Sequence, residues 1–285
     1  MKKRGPKFRR IVLVSFLAVV AVLAANVCVY LFYPNVGKLK KTNPGKTSFM
    51  EYREQEWREK GLKRKIQQTW VPLGAISPYL VKAVIISEDD KFWQHEGFDF
   101  EAMKTAIEKD LKKKQFKYGG STISQQLAKN LYLTPSRNPL RKIKEAVLTW
   151  RLENNLSKRR IIELYLNIAE WGDGIFGIGA AARHYYGKSA AALDAWEAAR
   201  LASVLPNPRR FKVSGNSGYV ENRAERIYNI MVRRGIVIPD YDEIVGPGDS
   251  EEGKRTEPGM GPARAPAARQ AGTAPGAAAN DPASP

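Results

Sequence analysis

Two strings organise this chain, EDDKFWQHEG at Glu88–Gly97 and GGSTISQQLAKN at Gly119–Asn130. A serine-proline pair at 77–78 precedes the first string and is typical of an N-cap followed by proline at the first helical position. The second string opens on two glycines, and Ser121 is a good N-cap, so a helix is predicted from Thr122. Each string therefore places polar residues at the end of a helix.

Glu88 is the first candidate functional residue. Apolar residues recur at helical spacing before it, so it falls at a helix C-terminus, where the helix dipole disfavours negative charge. Its neighbours Asp89 and Asp90 disfavour that charge further. A carboxylate held in this way can accept a proton near neutral pH. Taken alone, the acidic triplet fits a solvated helix end better.

The helix predicted from Thr122 offers free backbone N–H groups, and such an end binds phosphate readily. Gln125 and Lys129 are four residues apart and share one of its faces. A third string, RKIKE at Arg141–Glu145, follows an Asn-Pro helix start. Taken alone, its Arg–Glu spacing is that of an exposed ion pair, which contributes little to stability. The buried stripe of this third helix is expected to be Leu140, Ile143, Val147 and Trp150.

Together the three strings resemble the motifs of the family-51 glycosyltransferases, peptidoglycan transglycosylases that polymerise lipid-linked disaccharides. KRRIIELYLN at Lys158–Asn167 and GIGAAARHYYGK at Gly177–Lys188 are similar to the family's fourth and fifth motifs. The resemblance covers about residues 70–233. NIAEWGDG at Asn167–Gly174 and LPNPRRFKV at Leu205–Val213 resemble the monofunctional biosynthetic members from Gram-negative bacteria.

The resemblance implies a mainly α, lysozyme-like glycosyltransferase domain that polymerises lipid II into linear glycan strands. Polyprenyl diphosphate would be released with inversion at the anomeric carbon. The implied catalytic residues are Glu88, as general base, and Glu145. The residues implied to bind the diphosphate are Lys129, Arg141 and Lys142. Those implied to contact substrate are Ser121, Thr122, Gln125 and Gln126, and those that shape the cleft are His95, Tyr165 and Asn167.

The family often uses Mg²⁺ or Mn²⁺ with the substrate diphosphate, and no protein-held metal site is expected. Its partners would be lipid II, the lipid-linked glycan chain, the cytoplasmic membrane and other cell-wall synthesis or division proteins. The chain departs from many relatives at Gly179, where they have Glu, which leaves any role of that side chain in doubt.

The composition is basic, with 47 Lys+Arg against 29 Asp+Glu and a formal net charge of +18. Such a balance suits nucleic acid, anionic lipid or a phosphorylated substrate. No nucleic-acid-binding signature accompanies it, so a nucleic-acid partner is not expected. Cys28 is the only cysteine, which excludes an internal disulfide, and two histidines cannot form a histidine-rich metal cluster.

The predicted domain organisation begins with a basic tail over residues 1–10 and an apolar run over 11–33. That run is long enough to cross a hydrocarbon core of about 30 Å. It exceeds a typical signal-peptide core and lacks a clear cleavage site, which favours a retained single-pass anchor in the inner membrane. The basic flank predicts a cytoplasmic N-terminus and a periplasmic catalytic domain. A linker over 34–69, with a short amphipathic helix, a glycosyltransferase domain over 70–238 and a disordered tail over 246–285 follow.

Two other functions remain open at this point. A lysozyme-like enzyme that cleaves glycan would share the helical fold and a key glutamate, but it would not need three cations aimed at a diphosphate. A non-catalytic, membrane-anchored module that binds the cell wall would use the basic charge alone.

Overall fold

The computed structural model describes residues 6–113, 120–135, 138–215 and 217–238. The predicted tail over 246–285, the first five residues of the basic tail and Gly119 lie outside them. In the described residues the fold is mainly helical, as expected, with one small sheet. Its helices are α1 Pro6–Cys28, α2 Ser48–Glu59, α3 Pro78–Glu88, α4 Phe100–Lys113, α5 Ile123–Tyr132, α6 Pro139–Asn155, α7 Lys158–Ile168, α8 Ile178–Tyr186, α9 Ala195–Val204 and α10 Gly218–Arg233.

The sheet has three short strands, β1 Gln67–Gln68, β2 Glu170–Gly172 and β3 Ile175–Phe176. The central strand β3 runs parallel to β1 and antiparallel to β2. Because β1 lies far from β2 and β3 in sequence, the sheet joins the segment before α3 to the segment between α7 and α8.

The core is formed by α3, α5, α7 and α9, whose inward faces are fully buried. Helix α3 packs on α9, and α5 packs on both α6 and α7. The second half of α7 is buried all round, from Leu164 to Ile168. This arrangement fixes the C-terminal end of α3 beside the N-terminal half of α5, where the two opening strings of the sequence meet.

Helix α1 carries the apolar run. The segment Leu13–Lys40 is long and apolar enough, by length and composition, to cross a membrane, with a mean hydropathy of 2.4. Its apolar side chains, such as Phe16 and Val22, are exposed. After α1 the chain returns to the domain, because Arg151 of α6 donates to the carbonyl oxygens of Tyr30 at 3.0 Å and Phe32 at 3.1 Å.

Part of the segment predicted as a linker is folded onto the domain. Val36, Met50 and Trp57 are each only 1% exposed. Helix α2 is the short helix predicted there, and its Phe49 ring lies edge-on to Phe176 of β3 with centroids 6.3 Å apart. The helix therefore packs on the domain, a choice between domain and lipid that its amphipathic pattern left open.

The predicted buried stripe of α6 is wrong. Ile143 and Trp150 are 50% and 56% exposed, whereas Glu145, Leu148, Thr149 and Leu152 are buried. The periodicity gave a helix but not its rotation, because α5 covers the face that carries Glu145. The outer face of α6 meets the turn after α1 instead, where the Lys144 ammonium lies 4.9 Å from the centroid of the Tyr30 ring.

Candidate active site

Glu88 is the last residue of α3, and the residues before it hold that helix firmly. Leu80, Ala83 and Val84 are fully buried. Ser77 occupies the N-cap position, but its hydroxyl donates to the carbonyl oxygen of Leu193 at 2.7 Å rather than capping its own helix. Helix α3 is therefore fixed to its surroundings by its N-cap residue and by its buried face.

The Glu88 side chain is only 10% exposed. Its Oε2 accepts a hydrogen bond from Gln126 Nε2 at 2.9 Å. Its Oε1 lies 3.4 Å from Ser87 Oγ and 3.4 Å from Arg223 Nη2. Burial raises the pKa of Glu88 above its ordinary value, while Gln126 and Arg223 oppose the rise. A carboxyl group in such surroundings is suited to accept a proton.

The expected cause of that pKa rise was partly wrong. Asp89 and Asp90 do not act on Glu88 as free neighbouring charges, because each is paired elsewhere. Asp89 is 7% exposed and accepts from His95 Nε2 at 2.8 Å and from the Ile123 backbone N–H at 2.9 Å. Asp90 is bound by Arg234 through two contacts of 2.5 and 2.8 Å. Burial replaces charge repulsion as the main cause.

His95 joins the end of α3 to the start of α5. The Gly97 backbone N–H donates to His95 Nδ1 at 3.1 Å, so this nitrogen carries no proton and Nε2 is the donor to Asp89. Thr122 Oγ1 donates in turn to the Gly97 carbonyl oxygen at 2.7 Å. The His95 ring thus holds the wall of the cleft and does not reach into it.

The predicted helix start and phosphate site at α5 are wrong in detail. Thr122 rather than Ser121 is the N-cap, in a capping box with Gln125. The N–H groups of Thr122 and Gln125 are taken by the two side chains of this box, and that of Ile123 by Asp89. Protein acceptors therefore occupy three of the backbone donors at the helix end that was expected to meet a phosphate.

The four residues predicted to contact substrate separate into two pairs. Thr122 and Gln125 are each 2% exposed, and their side chains are used in the capping box. Ser121 and Gln126 are partly exposed. Ser121 lines a cleft of about 430 Å³ between the end of α3 and α4, together with Glu88. Gln126 also accepts from the Tyr165 hydroxyl at 3.0 Å, which fixes the direction of its amide.

Lys129, Arg141, Lys142 and Glu145 form a cationic cluster on α5 and α6. Glu145 is 3% exposed, and its two oxygens accept from Arg141 at 2.6 Å and from Lys142. Lys142 also lies 3.3 Å from Ser121 Oγ, at the rim of the cleft. The pair is therefore buried on its carboxylate side and is not the exposed surface pair that its spacing alone suggested.

Lys129 supplies the buried charge of the cationic cluster. Burial lowers the pKa of its ammonium group, and the fields of Glu145 and Glu88 oppose that fall. With three cations against Glu145 alone, the cluster has excess positive charge. Lys129 and Gln126 are three residues apart on α5, so this charge and the hydrogen-bond donor to Glu88 share one face.

Tyr165 and Asn167 lie on α7 behind the cleft. Tyr165 is 1% exposed, and burial raises the pKa of its hydroxyl well above the ordinary value. Asn167 is fully buried, and its side chain makes two hydrogen bonds to the backbone of Val71. It accepts from the Val71 N–H at 2.7 Å and donates to the Val71 carbonyl oxygen at 2.8 Å. Asn167 thereby ties the segment before α3 to the core.

The packing around Gly179 excludes a side chain at this position. A Cβ atom at this position would lie 2.6 Å from the Thr69 carbonyl oxygen and 2.7 Å from Val71 Cγ2. Both contacts are too short to exist without a shift of the chain. Gly179 thus provides close packing of α8 against the segment after β1.

Two features of the site were not found from the sequence. Arg223 reaches Glu88 from α10, and Arg53 of α2 forms a buried pair with Glu170 of β2. Arg223 lies 135 positions along the chain from Glu88 and Arg53 lies 117 from Glu170. Local periodicity carries no signal for pairs so far apart, and Arg53 resembles any other charge on an amphipathic helix.

No group of three or more His, Cys, Asp or Glu side chains converges on a point in the described ranges. The carboxylates nearest the cationic cluster and the end of α3 are engaged, Glu145 with two cations and Asp89 with His95. These side chains do not fit a preformed metal cage.

Comparison with known proteins decides the family. A family model described as Transglycosylase matches residues 54–232, more than half of the chain. The chain belongs to the transglycosylase family. The matched region contains Glu88, the cationic cluster and Arg223.

Similar proteins of the transglycosylase family carry the name biosynthetic peptidoglycan transglycosylase. One from Nitrosospira multiformis is 47% identical over 194 residues, which is 68% of this chain and 84% of that protein. One from Dechloromonas aromatica is 55% identical over 169 residues, or 59% and 73%. One from Janthinobacterium sp. is 46% identical over 219 residues, or 77% and 95%. The family expected from the motifs is confirmed.

Proposed function

We propose that this chain, a peptidoglycan glycosyltransferase, polymerises lipid II with Glu88 as general base and the cationic cluster as the site for the leaving diphosphate. One observation carries the proposal. One face of α5 connects a buried carboxyl group with a raised pKa, Glu88, to a cluster with excess positive charge. Gln126 on this face contacts Glu88, and Lys129 on the same face belongs to the cluster. The two halves of the reaction need these two kinds of group.

Glu88 acts on the acceptor. In its ionised form it takes the proton of the sugar 4-hydroxyl of lipid II as that oxygen attacks the anomeric carbon of the donor chain. The new C–O bond forms on the face opposite the leaving group, so the configuration inverts. Gln126 holds Glu88 Oε2 throughout, which keeps the carboxylate pointed into the cleft.

The cationic cluster acts on the donor. As the bond from the anomeric carbon to the diphosphate breaks, negative charge grows on the departing oxygens. Positive groups held in place stabilise that charge more in the transition state than in the ground state. Arg141 can bind phosphate through two donors, whereas Lys129 and Lys142 act as point charges. Glu145 positions Arg141 and Lys142.

A divalent cation is proposed to arrive with the substrate diphosphate rather than in a protein-held site. Magnesium usually binds through one or two carboxylates together with substrate phosphates. When bound, it would add positive charge at the leaving group, and no step above is routed through it. Polymerisation measured with a chelator present tests this proposal.

The proposed location is the inner membrane, with the N-terminus in the cytoplasm and the catalytic domain in the periplasm. The apolar Leu13–Lys40 segment supports an anchor. The run of basic residues before it supports a cytoplasmic N-terminus. A lipid-linked substrate would then reach the cleft from the membrane surface. Other cell-wall synthesis or division proteins are proposed as partners.

The test is to incubate the detergent-solubilised full chain with lipid II and to separate the products on a gel. A ladder of glycan strands is the expected result. Absence of any product would favour a non-catalytic binding module. Cleavage of purified cell-wall glycan, without polymerisation, would favour a lytic enzyme.

A further inference from the structure

Arg223 projects from α10 toward the end of α3. Helix α10 packs against α9 and α3 through a stripe that includes Val220, Ala224 and Ile227, all buried. Arg223 is adjacent to this stripe, so its backbone is fixed relative to the cleft. Its side chain is 27% exposed, which places the guanidinium at the edge of the site rather than in bulk water.

The guanidinium contacts two groups at the C-terminus of α3. Its Nη2 atom lies 3.2 Å from the Ser87 carbonyl oxygen and 3.4 Å from Glu88 Oε1. Carbonyl groups in the last turn of a helix lack partners within it, and a cation there is favoured by the helix dipole. The same dipole disfavours the negative charge of Glu88. Arg223 therefore provides a donor for the unpaired carbonyl group and a positive charge for the buried carboxylate.

Arg223 and Gln126 hold Glu88 from opposite elements. Gln126 of α5 contacts Oε2, and Arg223 of α10 contacts Oε1. Two further titratable groups interact with this carboxylate. Lys129 of α5 acts through its field, and the buried Tyr165 hydroxyl of α7 feels the charge of Glu88. Asp89 and Asp90, next to Glu88 in the chain, are engaged elsewhere, Asp89 in a hydrogen bond with His95 and Asp90 in an ion pair with Arg234.

Nearby arginines have other carboxylate partners. Arg200 of α9 binds both oxygens of Glu221 at 2.7 Å, and Arg234 binds Asp90. Among the side chains that the structure describes, Arg223 has Glu88 as its acidic partner. Arg223 is also the first of the two cations that oppose the pKa rise of Glu88, ahead of Lys129.

We propose that Arg223 is a positioning residue, which orients the Glu88 carboxylate toward the acceptor and keeps it ionised before the reaction. The inference rests on the proposed role of Glu88 as base. It does not require Arg223 to touch substrate. A plain cap of α3 would explain the Ser87 contact but would leave the titration of Glu88 unchanged.

The experiment measures the titration of Glu88 directly. Full-length protein in detergent is labelled with ¹³C at the glutamate carboxyl carbons, and the Glu88 signal is assigned by its loss in Glu88→Gln. In Arg223→Gln we expect the pKa of Glu88 to rise by about one unit, since a nearby opposite charge is worth about 1–3 units. The acid limb of lipid II polymerisation should move to higher pH by the same amount.

Two further variants separate positioning from structure. Arg223→Lys keeps the charge but not the planar fork, so the acid limb should stay near that of wild type while the rate falls several-fold. Arg200→Gln removes a comparable arginine contact to α10 and should leave the pKa of Glu88 unchanged. This variant controls for a general loss of stability, which thermal unfolding of each protein measures.

An unchanged Glu88 titration in folded Arg223→Gln would overturn the inference. A wild-type rate of lipid II polymerisation in Arg223→Lys would also overturn it. This second test remains available if Arg223→Gln does not fold. The proposed function fails separately, if wild-type protein makes no polymer from lipid II while the carboxyl titration still responds to Arg223→Gln.

Discussion

Gln126 donates a 2.9 Å hydrogen bond from Nε2 to Oε2 of Glu88. The same amide accepts from the buried Tyr165 hydroxyl through its oxygen, so it cannot turn over without losing both contacts. The candidate base is thus held by a side chain whose own orientation is set by the core. The sequence predicted Gln126 as a substrate contact, and the structure shows that it also has a partner in Glu88.

Glu88→Gln should abolish polymerisation without harming the fold. General-base catalysis contributes about 10²–10⁴-fold in rate, and the amide keeps the shape of the side chain but cannot accept the proton. The variant should still bind lipid II. Gel analysis of glycan products, under conditions where the wild type makes long strands, measures the loss. Polymerisation at nearly the wild-type rate would remove Glu88 from the mechanism.

The same substitution should keep or raise the melting temperature near neutral pH. The pKa of Glu88 is higher in the folded protein than in the unfolded chain, so the folded state holds its proton more strongly. Its ionisation therefore costs stability as pH rises from about the unfolded pKa through the folded pKa. Gln at this position carries no such cost. A melting temperature well below wild type, at all pH values, would show that the carboxylate stabilises the fold.

The two aspartates after Glu88 should respond differently to amidation. Asp89→Asn should destabilise the protein by about 1–3 kcal/mol, because one amide group cannot accept from both His95 and the Ile123 N–H and a buried donor is left unpaired. Asp90→Asn is the matched control, since Asp90 and Arg234 are about half exposed and such a pair contributes little. Urea unfolding of both variants gives the comparison. Equal losses would contradict the structural role of Asp89.

Lys129→Met should separate stability from activity in the cationic cluster. Burial lowers the pKa of the Lys129 ammonium, which shows that its charge is disfavoured there. An apolar side chain of similar length should therefore keep the melting temperature at or above that of wild type. Polymerisation should fall by at least about tenfold to a hundredfold, as expected when a charge that stabilises the leaving group is lost. Unfolding of this variant would instead make Lys129 a structural residue.

The local features of the fold could be predicted from the sequence because they depend on neighbouring residues. The helix starts at Pro78 and Pro139 and the helix end at Glu88 were predicted correctly. Cap-and-proline pairs such as Asn138-Pro139 and the positions of breakers set these limits. The helix predicted from Thr122 begins one residue later, because Thr122 and not Ser121 is its N-cap.

Features that depend on tertiary packing could not be predicted in the same way. The rotation of α6 was wrong, because a polar residue, Glu145, is buried in place of the apolar Ile143 and Trp150. Periodicity assumes that apolar residues face inward, and the cationic cluster around Glu145 reverses that rule locally. The roles of Arg223 and of Arg53 likewise depend on contacts between elements that are far apart in sequence.

The last prediction concerns the pair between Arg53 and Glu170, which joins α2 to β2. Three contacts of 2.8–3.1 Å connect them, and their side chains are 13% and 3% exposed. Breaking a buried pair from one side leaves an uncompensated charge. Arg53→Met should therefore lower the free energy of unfolding by about 3 kcal/mol. The double variant with Glu170→Met should recover part of that loss, and urea unfolding of the single and double variants measures both.

Lys46→Met is the control, because Lys46 precedes α2, pairs with Glu54 of that helix and is 49% exposed. Its loss should stay within about 0.5 kcal/mol. Because α2 is held by a buried pair, a protein that starts near Asn35 should fold, whereas one that starts near Trp70 should lose the stability that α2 adds. If Arg53→Met unfolded no more easily than Lys46→Met, α2 would be a spacer rather than part of the domain, and the shorter protein would fold as well as the longer one.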